Sequence, residues 1–292
     1  MIESRKNLRN GLLFISPWII GFLVFVAYPI FSSLYYSLTQ YNVIDPPKFR
    51  GLRNYVELVT TDRVFATSLL NTLYMVVFGT IIITGATLAI AIVLNNTQIR
   101  GLSIFRIIFF IPTLIPLVIL CILWVWMLQP QTGLINTFLS YVGIKGPGWL
   151  ADPRLAKPAF IMMFLWTSGG TVIIYLAGLQ DIPQSLYEVA SIDGANFFQR
   201  TFRITIPLMS PVILFNVITY IIGIFQSFAE SFIITSGGPN QSTLFYSLYL
   251  YQNAFQYFKM GLASAMGWIL LIIALVLIWI LLGAEKRFGY RQ

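Results

Sequence analysis

The sequence predicts an all-α membrane protein, a six-transmembrane-helix bundle forming a single domain over residues 1–292. Three observations carry that prediction. Hydrophobic residues make up 58% of the chain and charged residues only 10%, against about 25% charged in ordinary soluble domains. So much apolar surface needs the bilayer as its solvent. Long, nearly uncharged runs recur over about 12–38, 68–94, 106–128, 158–179, 207–235 and 261–282. Between the fourth and fifth runs, residues 183–206 are too polar to span and too patterned for a plain linker.

The same composition excludes several functions. A net charge of +8 in such a chain belongs to flanking loops and lipid headgroups rather than to nucleic acid. There is no histidine, which removes Ser-His and Cys-His nucleophile pairs and HExxH zinc sites. Cys121 stands alone in an apolar run, so neither an intrachain disulfide nor a thiolate metal site is expected.

Taken in order, the amino terminus is basic through Arg5, Lys6 and Arg9, and the uncharged run behind it exceeds a signal-peptide core. It reads as a retained first span, with Pro17 and Pro29 as kinks. The polar connector 39–67 carries Phe49-x-Gly51-Leu52-x-Asn54-Tyr55, which reads as a turn and an interfacial helix with Tyr55 at headgroup level. The second span is rich in small residues (Gly79, Gly85, Ala86, Ala89, Ala91) that admit a close neighbour. Arg100 falls in the brief loop that follows. The third span contains Pro112 and Pro116 and ends on Trp124 and Trp126, expected as interfacial anchors. A Gly- and Pro-rich loop with Trp149 then lies along the membrane surface, and the fourth span leads into 183–206. The sixth ends in a basic tail, Lys286, Arg287 and Arg291.

Within 183–207 the pattern is helix, turn, helix, proline. Ser185 and Glu188 are spaced as a capping box. Asp193-Gly194 stops the first short helix, because glycine takes a left-handed conformation without a Cβ penalty. Asn196 can cap a second, and Pro207 suits the first turn of the fifth span. Glu188-Val189-Ala190, Asp193-Gly194-Ala195 and, nine residues on, Ile204-Thr205-Ile206-Pro207 resemble the EAA loop of ATP-binding-cassette importer permeases. Two positions depart from that pattern, Val189 at an alanine and Ile206 at a leucine. The resemblance implies that Glu188, Ala190, Asp193, Gly194 and Ala195 couple the chain to a cytosolic ATPase. Lysines and arginines divide ten to eight between the two sides, so this resemblance, rather than charge, places both termini and the loop in the cytoplasm.

On the fifth span Asn216, Tyr220, Gly223, Ser227 and Glu230 recur at three- and four-residue steps and share one face. Trp166, Thr167 and Gly170 form a shorter face on the fourth. Polar groups in a membrane helix face either another helix or a water-filled path; both readings stand for this stripe. Gly237-Gly238-Pro239 with Thr243, Tyr249 and Tyr251 resembles the external loop of carbohydrate-importer permeases, as the Gly51-Leu52-x-Asn54-Tyr55 segment resembles their amino-terminal pattern. Together these imply the maltose/lactose-type branch, whose two spans beside the EAA loop line the substrate path.

The resemblance further implies the partners: a second, homologous permease, two copies of a cytosolic ATPase, an external solute-binding protein, a sugar and membrane lipid. No GxxxxGK[ST] occurs in the chain, so no enzyme activity and no cofactor are expected here, ATP and Mg being bound by the ATPase. No Lys or Arg lies inside a span, the nearest, Arg106 and Arg203, sitting at cytoplasmic ends, which favours a neutral mono- or oligosaccharide over a sugar phosphate or uronate. An ion-gradient-driven secondary transporter is the rival, though paired ionisable residues at mid-membrane are missing. An intramembrane protease is more remote. The expected location is the cytoplasmic membrane of a bacterium or archaeon.

Overall fold

The computed structural model describes residues 2–95 and 101–288; Arg100 and Arg291 of the charge balance lie outside them. The described chain is predominantly helical, and among the described residues its strands are confined to a hairpin of β1 (Thr39–Gln40) and β2 (Lys48–Phe49), paired antiparallel with Thr39 opposite Phe49. The residues group into two compact units. One takes the chain up to Arg63 together with Leu250–Leu271; the other runs from Val64 to Tyr249 and resumes at Ile272.

Four helices are long and apolar enough to cross a bilayer: α1 (Asn10–Ser37), α3 (Arg63–Leu94), α10 (Phe197–Phe225) and α13, which spans with Met260–Ala284. Two bent pairs bring the number to six when each pair is one span. The first is α4 (Leu102–Phe110) with a 3-10 turn, then α5 (Leu117–Met127), bent by 104°. Pro116 forces the bend, since a residue before proline is driven from the helical region and Ile115 is extended at φ −75°, ψ 125°. The second is α7 (Pro153–Trp166) and α8 (Gly169–Gln180), bent by 52°. Here Gly169 lies so close to α4 that a Cβ would stand 1.9 Å from the Phe109 carbonyl oxygen. The fourth span therefore starts five residues before the expected Pro158 and is broken at Thr167-Ser168.

Prolines behave differently in α1 and α10. At Pro29 and Pro207 the helix runs on because a π turn precedes the proline: Leu23–Ala27 before Pro29, and Thr201–Thr205 before Pro207. The wider turn bonds Tyr28 N–H to Leu23 O and Ile206 N–H to Thr201 O, five residues back. A proline ring otherwise collides with the carbonyl four residues behind it. Pro207 consequently sits inside a 29-residue helix instead of opening one.

The connectors carry short helices: α2 (Arg53–Thr60), α6 (Leu134–Tyr141), α9 (Gln184–Ile192), α11 (Ala229–Ile234) and α12 (Tyr246–Tyr251). Tyr55 donates its hydroxyl to Ser37 Oγ at 2.8 Å, tying α2 to the end of α1. One aromatic expectation is corrected here. Trp124 is buried at 3% exposure, edge-on to Trp166, and so is no interfacial anchor. In the loop before α7, Trp149 Nε1 donates to Asn136 Oδ1 at 2.8 Å, while Asn136 Nδ2 donates to the carbonyls of Pro130 and Pro147.

The larger unit has a core where α3, α8 and α10 meet. Leu88, Ala91 and Leu94 pack with Val172, Tyr175, Leu176, Leu179 and Met209. Gly178 permits the approach: a Cβ there would meet Met209 Sδ and Val212 Cγ2, each at 3.1 Å.

Candidate functional site

Two features of the larger unit match the sequence motifs: the projecting segment 183–206 and a polar cavity among α7, α8, α10 and α11.

The projection is rigid by construction. Helix α9 begins at Gln184, after Pro183 in an extended conformation, so Ser185 falls inside its first turn and caps nothing. The expected Ser185–Glu188 box is thus absent; Glu188 is exposed. Gly194, at φ +75°, ends the helix. Gly194 N–H donates to Ser191 O at 3.1 Å and Ala195 N–H to Ala190 O at 2.8 Å, the paired bonds of a Schellman motif. Ala190 and Ala195 are the two residues that close this motif, and both are small. Asn196 caps the next helix as expected, and Gln199 reciprocates: Gln199 N–H donates to Asn196 Oδ1, and Asn196 N–H to Gln199 Oε1, both at 2.9 Å. The Tyr187 hydroxyl lies 2.8 Å from Thr205 Oγ1, and Arg200 Nη1 donates to Ser191 Oγ at 3.0 Å, tying the two helices together.

What this rigid piece presents is unusual. Val189, Phe197, Phe198 and Phe202 are each more than half exposed and Ile192 is 86% exposed, with the Glu188 and Asp193 carboxylates beside them. A clustered apolar surface with a polar rim marks a protein contact. At its base, Ile182 and Ile206 pack on the core cluster of α3, α8 and α10, so a push on the projection reaches three helices.

The cavity has a volume of about 300 Å³. Thr167, Asn216, Tyr220 and Glu230, expected on the path, line it, and so does Gly223 of the same stripe. Ser227 stands behind: its Oγ donates to Glu230 Oε2 at 2.9 Å. The expected geometry of the stripe is corrected, however. α10 ends at Phe225, not Thr235, and Glu230 arrives on α11, which packs along α5. Trp166 is corrected as well. The break after it turns its ring into a separate apolar cavity of about 340 Å³, with Trp124, Ile108 and Pro112. Gly170 lines neither cavity.

Phe164, Ser168, Thr171 and Thr219 complete the polar wall and were not singled out in the sequence. Thr219 lies three residues after Asn216, and Thr171 four after Thr167, so extending each face by one step would have found them. The donors of this wall are largely committed. Thr167 Oγ1 donates to Phe164 O at 3.1 Å, Ser168 Oγ to Leu165 O at 2.6 Å, Thr219 Oγ1 to Phe215 O and Asn216 Nδ2 to Val212 O, both at 2.9 Å. A hydroxyl that has given its proton keeps lone pairs to offer. With the Glu230 carboxylate, an acceptor only, the cavity favours a guest rich in O–H donors. The Tyr220 hydroxyl is buried with no partner among the described residues, and remains as a donor.

Comparison with known proteins agrees with this reading. The family model described as "Binding-protein-dependent transport system inner membrane component" matches residues 81–290. A probable ABC transporter permease protein, YesP of Bacillus subtilis, is 42% identical over 92% of this chain and 88% of its own. The lactose transport system permease protein LacF of Rhizobium radiobacter is 39% identical over 94% and 95%. Among solved structures, a bacterial ABC transporter "involved in the import of the acidic polysaccharide alginate" superposes with a TM-score of 0.83 at 26% identity, covering 99% of this chain and 100% of that one. An exposed apolar projection on a membrane bundle with a polar cavity, joined to these matches, means that the chain belongs to the binding-protein-dependent inner membrane components and is a permease subunit of a sugar-importing ABC transporter.

Proposed function

We propose that the chain forms half of the translocation path for a neutral mono- or oligosaccharide, and that residues 183–206 receive the mechanical stroke of a cytosolic ATPase. The observation that carries the substrate reading is the acceptor-rich cavity wall, whose one charged group is Glu230. Sugar hydroxyls donate to such a wall; a carboxylate or phosphate brings only acceptors and a like charge, which a low-dielectric site penalises by several kcal/mol. Thr167, Asn216, Tyr220 and Glu230 contact the sugar in this reading, and Ser227 orients Glu230. Phe164 and Tyr220 offer the aromatic faces for stacking, in place of Trp166.

The ATPase, present as two copies, binds ATP and Mg; this chain holds no cofactor and performs no catalysis. Glu188, Ala190, Asp193, Gly194 and Ala195 form the coupling contact, either as its exposed face or as the turn that shapes it. A second permease completes the path, a solute-binding protein delivers sugar from outside, and both termini lie in the cytoplasm of a bacterium or archaeon. The alginate importer's likeness favours a second reading, an acidic sugar whose charge is met by the second permease. ATP-driven uptake by the complete importer in proteoliposomes, with matched neutral and uronate oligosaccharides, tests the choice. Uptake of the neutral sugars is expected; transport of the acidic ones alone overturns it.

A further inference from the structure

The smaller unit holds two neighbouring cavities with no part in the path above. One, of about 240 Å³, is polar and lies where α1 ends and α13 begins; Tyr41, Asn42, Arg50, Asn54, Glu57 and Lys259 line it. The other, of about 480 Å³, is an apolar groove between Ile30 and Ser33 of α1 and the Met260, Ser264, Gly267 and Trp268 face of α13. α13 contributes to both: Leu262 lines the polar cavity, which otherwise takes residues of the connectors and of α2, whereas the groove runs on along α13 as far as Leu271 and faces Ile30 and Ser33 within α1, so it reaches into the two spans.

The polar cavity is built at a fixed depth. Asn54 Nδ2 donates to the carbonyls of Ser37 and Thr39, each at 2.8 Å, pinning α2 to the last residue of the first span. Gly261 N–H donates to Tyr41 O at 3.0 Å, and a Cβ on Gly261 would stand 2.2 Å from Thr39 O, so the same loop is held against the start of the last span. Opposite its pinned side, α2 leaves Val56 and Val59 more than half exposed, continuing Phe49 and Leu52. Apolar side chains at the end of a span mark the headgroup boundary rather than bulk water.

Arg50, Lys259 and Glu57 face the polar cavity, and no ion pair joins them to each other or to any other described residue. Two free cations and one free carboxylate at headgroup depth, above an apolar groove, match one kind of molecule. We propose that this unit binds a single aminophospholipid. The phosphodiester lies between Arg50 and Lys259, the ammonium group meets Glu57, and an acyl chain fills the groove beside Gly267 and Trp268. Trp268 Nε1 donates to Ser33 Oγ at 3.2 Å, which closes the groove floor without consuming its apolar wall.

Native mass spectrometry of the complete importer, given equal phosphatidylethanolamine and phosphatidylglycerol, tests the proposal. Retained phosphatidylethanolamine is expected on this subunit. Arg50→Gln with Lys259→Gln lowers its occupancy about tenfold, the loss of charge-assisted phosphate contacts. Glu57→Gln keeps a lipid bound but abolishes the preference for phosphatidylethanolamine. Ser264→Phe fills the groove and expels the lipid while the second permease still co-purifies. Unchanged occupancy in the Arg50/Lys259 variant overturns the site. Loss of the second permease from Ser264→Phe shows that the groove seats a partner helix, and displacement by soluble phosphoethanolamine shows a site for free phosphate compounds; either result overturns the lipid assignment.

Discussion

Replacing Gly194 separates the shape of the coupling projection from its charge. Gly194 sits at φ +75°, and nothing lies within 4 Å of where its Cβ would be. Substitution therefore meets no clash, and its whole cost is backbone strain. Left-handed geometry costs an L-residue about 1–2 kcal/mol, more for a β-branched one and less for asparagine. The strain bears on the two bonds of the turn, Gly194 N–H to Ser191 O and Ala195 N–H to Ala190 O, which fix where the second helix starts. A cost of about 1.4 kcal/mol lowers the population of the native turn, relative to its opened forms, tenfold. Coupling should fall in the order Gly, Asn, Ala, Val, read as sugar-stimulated ATP hydrolysis by the assembled importer. Membrane insertion and the amount of chain should stay constant, since the core of α3, α8 and α10 is untouched. Equal coupling in the Val and Gly forms would refute the reasoning, as would an Asn variant as impaired as Val.

Further outcomes follow from the same geometry. Glu188→Lys should weaken co-purification of the ATPase, because it inverts an exposed charge; unchanged recovery counts against the docking role. Gly169→Val should abolish stable expression, since even a Cβ stands 1.9 Å from a carbonyl oxygen; a normal yield would mean that the α7–α8 break relaxes. Asn136→Ala removes three side-chain hydrogen bonds and should cost about 2–4 kcal/mol, at roughly 1 each with an added penalty for the orphaned groups; a thermal-unfolding midpoint within a degree of wild type would contradict it. In a background with Cys121 replaced, a cysteine at Asn240 should react with an impermeant reagent from outside and one at Asn196 only from the cytosol. The reverse labelling removes the ATPase contact.

Much of this was legible in the chain because membrane solvation is a coarse and strict constraint. Uncharged runs long enough to span fall on the four long apolar helices and the two bent pairs, and the Gly194 turn and Asn196 cap were local enough to read from residue types alone. The misses share a cause: a helix was extended wherever the residues stayed apolar. The breaks at Ile115-Pro116, at Thr167-Ser168 and after Phe225 come from packing and proline sterics that a hydropathy run conceals. Those breaks moved Trp166 out of the polar cavity, yet Glu230 reached it from a separate helix. Conversely, residue types alone make Pro29 a kink and Pro207 a helix start, whereas a π turn carries each helix past its proline. Ser185 failed as a cap because Pro183 starts the helix earlier than the box allows.

The central claim is that sugar crosses beside Asn216, Tyr220 and Glu230 while the projection transmits the stroke. Gly223 lines this cavity and has open space where a Cβ would stand, so Gly223→Trp plugs the path without touching residues 183–206. ATP-driven uptake and ATP hydrolysis, measured side by side on the complete importer in proteoliposomes, read the two halves separately. The account predicts that the Trp variant loses uptake while hydrolysis stimulated by the binding protein persists. Uptake at the wild-type rate would contradict it.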